Sequence, residues 1–431
     1  MPYTLATKHS RQSAERRPMP NGVRWVLALA FAVLASACGK PPLEPTIGHY
    51  RAVLELPGGE APFGLDIERD ADRVTLVLVN GIERTRVHEV HVENGELHAT
   101  FPGFENTLRA RIERDRLVGE ITFIKARGEK QVIPFRAEHG VSYRFFPEPS
   151  SDNADISGRW AVTFTSDDGE STPAVGLFEQ THDRVTGTVM TPTGDHRFLE
   201  GQVHGDEVRL STFAGGLVYL YHLKVTNDGR LEGDYWQGLA WHEKVTAQRD
   251  EDATLDGKGR RTEVKSQDEP LRFTFRDQDG HEISLSDERF RDKVVLVTIG
   301  GTWCPNCHDE ARFLVPFYEE YRDKGFEIVA LMFERHGDFE KAAAAVRNYR
   351  DDLGINFPTL VAGVAEADDV NNKLPMLSGI YGYPTAILLD REHKVRDIHT
   401  GFSGPATGRH YEEYVAEFTA KVEALLAEGK L

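Results

Sequence analysis

The chain of 431 residues carries 69 acidic and 51 basic side chains, which gives a formal net charge of −18. A charge of this sign repels phosphate backbones, so the composition argues against a nucleic-acid partner. With 40% hydrophobic and 28% charged residues the chain has an ordinary globular composition, and its length predicts two or three domains.

Residues 1–37 have the pattern of an export signal. Basic residues precede an apolar run over residues 25–37, which is short for a membrane span and ends in small side chains. The sequence Leu-Ala-Ser-Ala-Cys that follows is similar to the lipobox of bacterial lipoproteins, which implies lipidation of Cys38. We expect a lipid anchor in the inner or outer membrane of the cell envelope, facing the periplasm. The alternative is simple cleavage after Ala37.

Residues 46–147 and 156–249 are predicted to form two antiparallel β modules, each a small barrel or sandwich. Short alternating runs end in turn signals, as residues 74–79 do before Asn80-Gly81, and no helical periodicity is evident. The sequence also repeats, because "GHYRAVLEL" at position 48 matches "GRWAVTFTS" at position 158. An offset of about 110 residues over several strands indicates duplication.

The two β modules contain no cysteine and no recognisable catalytic cluster. Their histidines, including His204, His222 and His242, lack the spacing of metal ligands, so no metal site is predicted. Several aromatic residues could form a ligand or client surface, but we favour their assignment to the core and barrel mouths. These residues are Trp160, Tyr219, Tyr221, Tyr235, Trp236 and Trp241.

The pattern changes after a polar, charged segment at residues 250–268, which is predicted to be a linker. From residue 269 to residue 431 we expect a hairpin around Gly280, a buried strand, a helix, a second buried strand and a helix ending at Gly354. A terminal hairpin over residues 385–400 and a closing helix complete the chain. Strands that alternate with helices predict an α/β domain with a central sheet.

The sequence Cys304-Pro305-Asn306-Cys307 lies between the first buried strand and its helix. A cysteine at a helix N-terminus meets unpaired backbone N–H groups, which stabilise thiolate over thiol. We therefore predict that Cys304 is the exposed, attacking sulfur and that Cys307, nearly one helical turn on, lies beneath it and resolves the mixed disulfide. Because the only other cysteine is Cys38, this pair is predicted to be reactive rather than part of a structural disulfide framework.

Residues 268–430 resemble the thioredoxin superfamily, specifically the TlpA/ResA-like membrane-anchored disulfide reductases. The likeness depends on "ISLSDERFRDKVVLV", "TWCPNC" and "YGYPTAILLD", together with a glutamate after the second buried strand. It implies a thioredoxin-like fold that reduces disulfides in client proteins with electrons from a membrane thiol donor and without a cofactor. It further implies a cis Pro384, client binding along Tyr383, a proton relay through Glu334, and packing of Trp303 beside the cysteines.

Three alternatives remain at this point. His308 completes Cys-x-x-Cys-His, the attachment sequence for c-type haem, although otherwise it would tune the dithiol or face solvent. A peroxiredoxin-like peroxidase would share the fold, but no proline–threonine arrangement precedes Cys304. The third alternative is a non-enzymatic lipoprotein that binds partners through its β modules.

Overall fold

The computed structural model describes residues 43–428, apart from residues 72 and 256. The predicted export signal and Cys38 lie outside the described residues. Across the part of the chain that is described, no helix is both long enough and apolar enough to cross a bilayer.

The first β module is an antiparallel sheet of nine strands. They are β1 (Gly48–Leu56), β2 (Gly59–Asp70), β3 (Arg73–Asn80), β4 (Glu83–Val87), β5 (Val90–Glu93), β6 (Glu96–Thr100), β7 (Thr107–Glu113), β8 (Arg116–Ile124) and β9 (Lys130–His139). The order β4-β3-β2-β1-β9-β8-β7-β6-β5 leaves β4 and β5 at the two edges. Because β4 ends three residues before β5 begins, those edges lie within about 11 Å of each other, and the sheet curls into a barrel-like form.

The second β module repeats this architecture. Its strands are β10 (Gly158–Ser166), β11 (Ser171–Thr181), β12 (Arg184–Thr191), β13 (Gly194–Asp195), β14 (Leu199–His204), β15 (Glu207–Phe213), β16 (Val218–Val225), β17 (Leu231–Gln237) and β18 (Trp241–Arg249). The order is β11-β10-β18-β17-β16-β15-β14-β12-β13, and β11 also pairs with β12. This extra pairing closes the sheet into a ring.

Most of the aromatic side chains of the second module belong to its core, as expected. Trp160, Tyr219, Tyr221 and Tyr235 are buried, and Trp236 is half-buried. Trp241, at the start of β18, does not belong to the core, because it is 54% exposed; its indole nitrogen donates to Glu243 at 2.9 Å.

One phenylalanine joins the cores of the two β modules. Phe213, at the end of β15, is fully buried, and its ring centroid lies 5.1 Å from that of Phe63, 5.2 Å from Phe101 and 5.9 Å from Phe123. The last three belong to the first module, so a side chain of the second module completes the core of the first. We call the contact of these four phenylalanines the aromatic seam.

The C-terminal module is an α/β domain, as predicted. Its elements are β19 (Thr274–Asp277), β20 (Glu282–Ser284), β21 (Val294–Gly300), α1 (Pro305–Tyr321), β22 (Phe326–Glu334), α2 (Phe339–Leu353), β23 (Thr359–Val364), α3 (Ala367–Lys373), β24 (Thr385–Leu389), β25 (Val395–Thr400) and α4 (Arg409–Ala427). The sheet order is β20-β19-β23-β22-β21-β24-β25, with β21, β22 and β23 parallel and β24 antiparallel to β21. The prediction missed β23 and α3.

Side chains and caps explain the central helices of this module. The α1 residues Phe313, Leu314, Phe317 and Tyr321 are buried, which confirms the predicted inward face. Helix α2 ends at Gly354, whose φ of 66° is the left-handed conformation that glycine tolerates best. The predicted linker lies against the same module, because the backbone N–H of Lys265 donates to the Met376 carbonyl at 2.9 Å.

Candidate active site

The two cysteines lie where β21 ends and α1 begins. Cys304 is the N-cap residue of α1, and its Sγ accepts a hydrogen bond from the Cys307 backbone N–H at 3.2 Å. Pro305 occupies the first turn, where a missing N–H leaves no helical bond unmade. Both thiols are free and buried, with exposed fractions of 5% for Cys304 and 3% for Cys307, so the expectation that the attacking Cys304 is exposed is wrong. The Cys304 sulfur therefore accepts a backbone N–H of the first helical turn, at the N-terminus of α1.

The loop before β24 brings a backbone carbonyl to the same sulfur. The Cys304 thiol donates to the Tyr383 carbonyl at 3.4 Å, and the Tyr383–Pro384 peptide bond is cis. Trp303 lies beside them, with its Nε1 donating to the Phe333 carbonyl at 2.9 Å and its ring 5.3 Å from that of Tyr383. Three residues predicted from sequence, Trp303, Tyr383 and Pro384, thus lie around the Cys304 sulfur.

Cys307 lies behind Cys304, facing the interior. Burial, followed by the neighbouring Cys304 sulfur, raises the pKa of the Cys307 thiol well above its ordinary value. Glu310, three residues further along α1, lines the same small cavity and accepts a hydrogen bond from Thr298 Oγ1. Burial also raises the pKa of Glu310 to about 7. A carboxyl group that titrates near neutral pH can accept the proton of a thiol that ionises reluctantly.

Glu334, the glutamate predicted as a proton relay, is fully buried at the end of β22. Its two oxygens accept hydrogen bonds from the Thr302 backbone N–H at 3.0 Å and the Thr302 hydroxyl at 2.7 Å. Burial raises its pKa to about 7, although these hydrogen bonds oppose the shift. Glu334 therefore contacts Thr302, on the loop that carries the motif, whereas Glu310 lines the cavity beside Cys307.

Sequence reasoning missed Glu310, although a signal was present. The residue lies three, four and seven positions before Phe313, Leu314 and Phe317, which places it on the inward stripe of the helix. A glutamate on that stripe has to be buried, and a buried carboxyl close to a reactive cysteine is a candidate for proton transfer.

His308 is buried, so the expectation that it faces solvent is wrong. Its ring stacks on Phe104 of the first β module, with centroids 3.8 Å apart and an interplanar angle of 10°, and meets Tyr349 edge-on at 4.9 Å. Its Nε2 lies 2.7 Å from the Thr302 carbonyl, and because a carbonyl only accepts, Nε2 carries the proton. Burial, followed by Arg312, lowers the pKa of His308 well below its ordinary value, so the ring is neutral.

A buried arginine beside the first turn of α1 contacts all three modules. Arg197, just after β13, pairs with Glu83 of the first β module and with Asp309 of α1, and these three side chains are 9–10% exposed. Its Nη1 also donates to the Pro305 carbonyl at 3.2 Å. Burial disfavours the charged guanidinium, but Asp309 and Glu83 outweigh it and raise the pKa of Arg197.

The segment before Arg197 lies against the dithiol itself. With its amide oriented to satisfy both groups, Asn306 donates to the Asp195 carbonyl at 3.2 Å and accepts from the Asp195 N–H at 3.1 Å. The Asp195 carboxylate accepts a hydrogen bond from the Gly404 N–H. We call this contact of the β modules with the C-terminal module, from Arg197 and Asp195 to the Phe104–His308 stack, the polar seam.

A dithiol at the strand–helix junction of a thioredoxin-like module defines a class of protein, the thiol–disulfide oxidoreductases. Residues 265–414 match the Redoxin family. The chain is 30% identical over 148 residues to the thiol-disulfide oxidoreductase ResA of Bacillus thuringiensis subsp. konkukian, with 34% of this chain and 75% of that protein covered. It therefore belongs to the ResA family of thiol–disulfide oxidoreductases.

Further comparisons cover the same part of the chain. ResA of Bacillus subtilis is 30% identical over 129 residues, which cover 30% of this chain and 64% of that protein. Among solved structures, a thioredoxin-family thiol:disulfide interchange protein from Chlorobium tepidum has 22% identity and a TM-score of 0.28, covering 40% of this chain and all of that one.

These findings decide between the alternatives. The family is enzymatic, which overturns a purely binding protein. The His308 ring is enclosed between Phe104 and Tyr349 with Nε2 engaged by Thr302, an arrangement that does not fit an axial ligand to haem. The relatives are thiol–disulfide oxidoreductases rather than peroxidases, and the Thr302 hydroxyl, two residues ahead of Cys304, donates to Glu334 at 2.7 Å.

Proposed function

We propose that the protein reduces disulfide bonds of client proteins in the periplasm through Cys304 and Cys307. One observation carries the proposal: the Cys304 sulfur receives the Cys307 N–H at 3.2 Å and lies 3.4 Å from the Tyr383 carbonyl. The first contact places the attacking sulfur at the N-terminus of α1, and the second provides a backbone edge along which an extended client segment can pair.

The exchange proceeds in two displacements. The Cys304 thiolate attacks one client sulfur, forms a mixed disulfide and releases the other client sulfur as a thiolate. Cys307 then loses its proton and attacks Cys304, which forms the Cys304–Cys307 disulfide and releases the second client thiolate. Two electrons pass to the client, whose thiolates take up protons, and a thiol donor at the membrane returns two electrons to the enzyme. Glu310 and Glu334 are the buried carboxyl groups able to hold the proton of Cys307.

Serine substitutions of the two cysteines test this proposal. We expect Cys304→Ser to abolish reduction of a model protein disulfide such as that of insulin. Cys307→Ser should instead accumulate a mixed disulfide between Cys304 and the client, detectable by mass spectrometry and reversed by dithiothreitol. Full activity of Cys304→Ser would overturn the proposal.

The direction of electron flow is tested by the midpoint potential of the Cys304–Cys307 pair. A value near that of thioredoxin, about −270 mV, supports a reductant, whereas a value near about −120 mV supports an oxidant. Equilibration of the full chain with a dithiothreitol series, followed by alkylation and mass measurement, gives this potential.

The membrane anchor proposed at Cys38 is supported by the sequence of residues 34–38 and by the apolar run before it. Since Gly39 follows the cysteine, residence in either membrane of the envelope is compatible with this sequence. We expect Cys38→Ser to move the protein from the membrane fraction to the soluble periplasmic fraction. Retention of that variant in the membrane would contradict a lipid anchor.

We also infer that the two β modules are copies of one ancestral unit. Tyr50 donates from its hydroxyl to the Thr46 carbonyl at 2.8 Å, and Trp160, 110 positions later, donates from its indole to the Ile156 carbonyl at 3.0 Å. Gly48 and Gly158 both start a first strand with positive φ. Matching local contacts at a constant offset support duplication.

A further inference from the structure

The dithiol is covered by the β modules, not only by its own fold. Pro305 and Asn306, the two residues between the cysteines, contact the second β module through Arg197 and Asp195. A Cβ built on Gly216 of that module would lie 2.9 Å from the Pro305 ring. The 5% exposure of Cys304 therefore describes a state in which a protein client cannot reach the sulfur.

The segment between β12 and β13 occupies the surface beside the Tyr383 edge. A Cβ built on Gly401 would lie 2.6 Å from the Thr193 carbonyl carbon, and one built on Gly382 would lie 3.2 Å from the Thr193 Cβ. Gly382 directly precedes Tyr383, whose carbonyl contacts Cys304. Thr193 thus stands at the position that an extended client segment needs.

We propose that the two β modules form a gate over the dithiol and that Arg197, Glu83 and Asp309 are its latch. In the closed state, which is the one observed, residues 191–197 exclude protein clients from Cys304. In the open state the β modules separate from the C-terminal module along the polar seam, and the client takes the place of Thr193. The three latch residues thereby control which substrates reach the dithiol, although they take no part in the thiol–disulfide exchange itself.

The composition of the polar seam suits a separable contact. Besides the Phe104–His308 stack, its contacts include hydrogen bonds and ion pairs, among them Gly103 N–H to Asp352 at 2.6 Å and His336 to Glu105 at 2.8 Å. Interfaces of this polar kind between domains of one chain permit relative motion, whereas large apolar interfaces do not. The aromatic seam joins the two β modules to each other, so they are expected to move together.

Burial makes the latch sensitive to the loss of one partner. Removal of Arg197 leaves the carboxylates of Glu83 and Asp309 near each other with little water, an arrangement that strongly favours separation. Substitution of Gly401 by alanine acts independently, because the added methyl group meets the backbone of Thr193 rather than a mobile side chain.

The test measures the rate at which maleimides alkylate Cys304 in the full chain carrying Cys307→Ser, at neutral pH, by mass spectrometry. A small maleimide and one carrying a long polyethylene glycol chain are compared. We expect Arg197→Ala and Gly401→Ala to accelerate alkylation by at least about tenfold, and more for the bulky reagent, because both open the seam. No catalytic turnover enters this measurement, so it can fail while the proposed reductase activity stands, and the reverse also holds.

Two matched controls separate opening from general destabilisation. Arg144 is equally buried and pairs with Glu200 at 3.1 Å, but it lies between the two β modules. Gly280 has a φ of 87°, close to the 82° of Gly401, and a Cβ there would meet nothing within 4 Å. Arg144→Ala and Gly280→Ala should leave the alkylation rate of the folded protein within about twofold of the parent.

Two outcomes would overturn the gate. One is rapid alkylation of the parent chain by the bulky maleimide, at the rate of the urea-unfolded protein. The other is an acceleration by Arg144→Ala as large as that by Arg197→Ala. If circular dichroism shows that Arg197→Ala does not fold, Glu83→Gln replaces it, since that variant removes one carboxylate and retains the Arg197–Asp309 pair. Unchanged alkylation rates in both Glu83→Gln and Gly401→Ala would then equally exclude the gate.

Discussion

The two seams of this molecule differ in chemistry. At the aromatic seam, Phe213 enters a cluster of three phenylalanines and is completely buried. At the polar seam, Arg197 reaches two carboxylates and a carbonyl. Burial of apolar surface gives a contact that is expensive to separate, whereas a buried ion pair loses much of its attraction to desolvation. From this difference we expect the two β modules to move as one body, from which the C-terminal module can separate.

The largest effect is expected where the aromatic seam is broken. Phe213→Ala removes a fully buried ring and should lower the free energy of unfolding by about 3–5 kcal/mol. Urea denaturation followed by circular dichroism measures this loss. As a control, Ile82→Ala in the first module removes a side chain that is 84% exposed, and a change within about 0.5 kcal/mol is expected. Equal losses in the two variants would contradict the core role of Phe213.

The pH dependence of stability shows whether the Glu310 carboxyl group is buried inside the C-terminal module or at the polar seam. The pKa of Glu310 is raised from its ordinary value to about 7, so between about pH 4.5 and 7 the unfolded chain binds fewer protons than the folded one. The contribution of Glu310 to stability therefore falls as pH rises through this window and is constant above it. In Glu310→Gln this contribution is absent, so the fall in the free energy of unfolding between pH 5 and pH 8 should be smaller than in the parent by roughly 3 kcal/mol, as measured by urea denaturation.

The same urea denaturation in an Arg197→Ala background tests whether the polar seam contributes to the burial of Glu310. Because Glu310 is enclosed by its own helix and strands, opening of the polar seam should leave its pH dependence intact. Disappearance of the effect in that background would mean that the β modules, not the thioredoxin-like fold, bury this carboxyl group.

A smaller effect is expected from a single hydrogen bond of the polar seam. Asp352 accepts the Gly103 N–H at 2.6 Å, and Asp352→Asn replaces the carboxylate by a neutral acceptor. The free energy that favours the closed seam over the open one should fall by about 1 kcal/mol. Where the closed state predominates, this would accelerate alkylation of Cys304 about fivefold. An unchanged rate would remove this bond from the set that holds the seam closed.

The smallest effect is expected at the rim of the seam. Arg127 and Glu366 form an ion pair at 2.9 Å with exposed fractions of 76% and 42%. Water screens such a pair, so Arg127→Ala should change neither the alkylation rate of Cys304 nor the unfolding midpoint measurably. A clear acceleration would show that the latch extends to the rim.

The residues around the sulfur could be predicted because they carry local patterns. A buried strand, a Cys-x-x-Cys motif and an amphipathic helix occur in sequence, and Pro384 follows at a recognisable position. In contrast, the partners of Arg197 lie 114 and 112 positions away. Nothing local distinguishes these three among 51 basic and 69 acidic residues. Phe213 was equally inconspicuous, since an aromatic residue at a strand end fits the core of its own module as well as that of a neighbour.

The insertion of Phe213 has a consequence for how the protein is made. The first barrel ends at His139, yet the ring that fills its interior belongs to residue 213, so 213 − 139 = 74 further residues must be synthesised before that interior is complete. Until then Phe63 and Phe101 lack the ring that packs against them, and the nascent chain exposes apolar surface that is prone to aggregation. Division of the chain between residues 147 and 156 would make this transient state permanent.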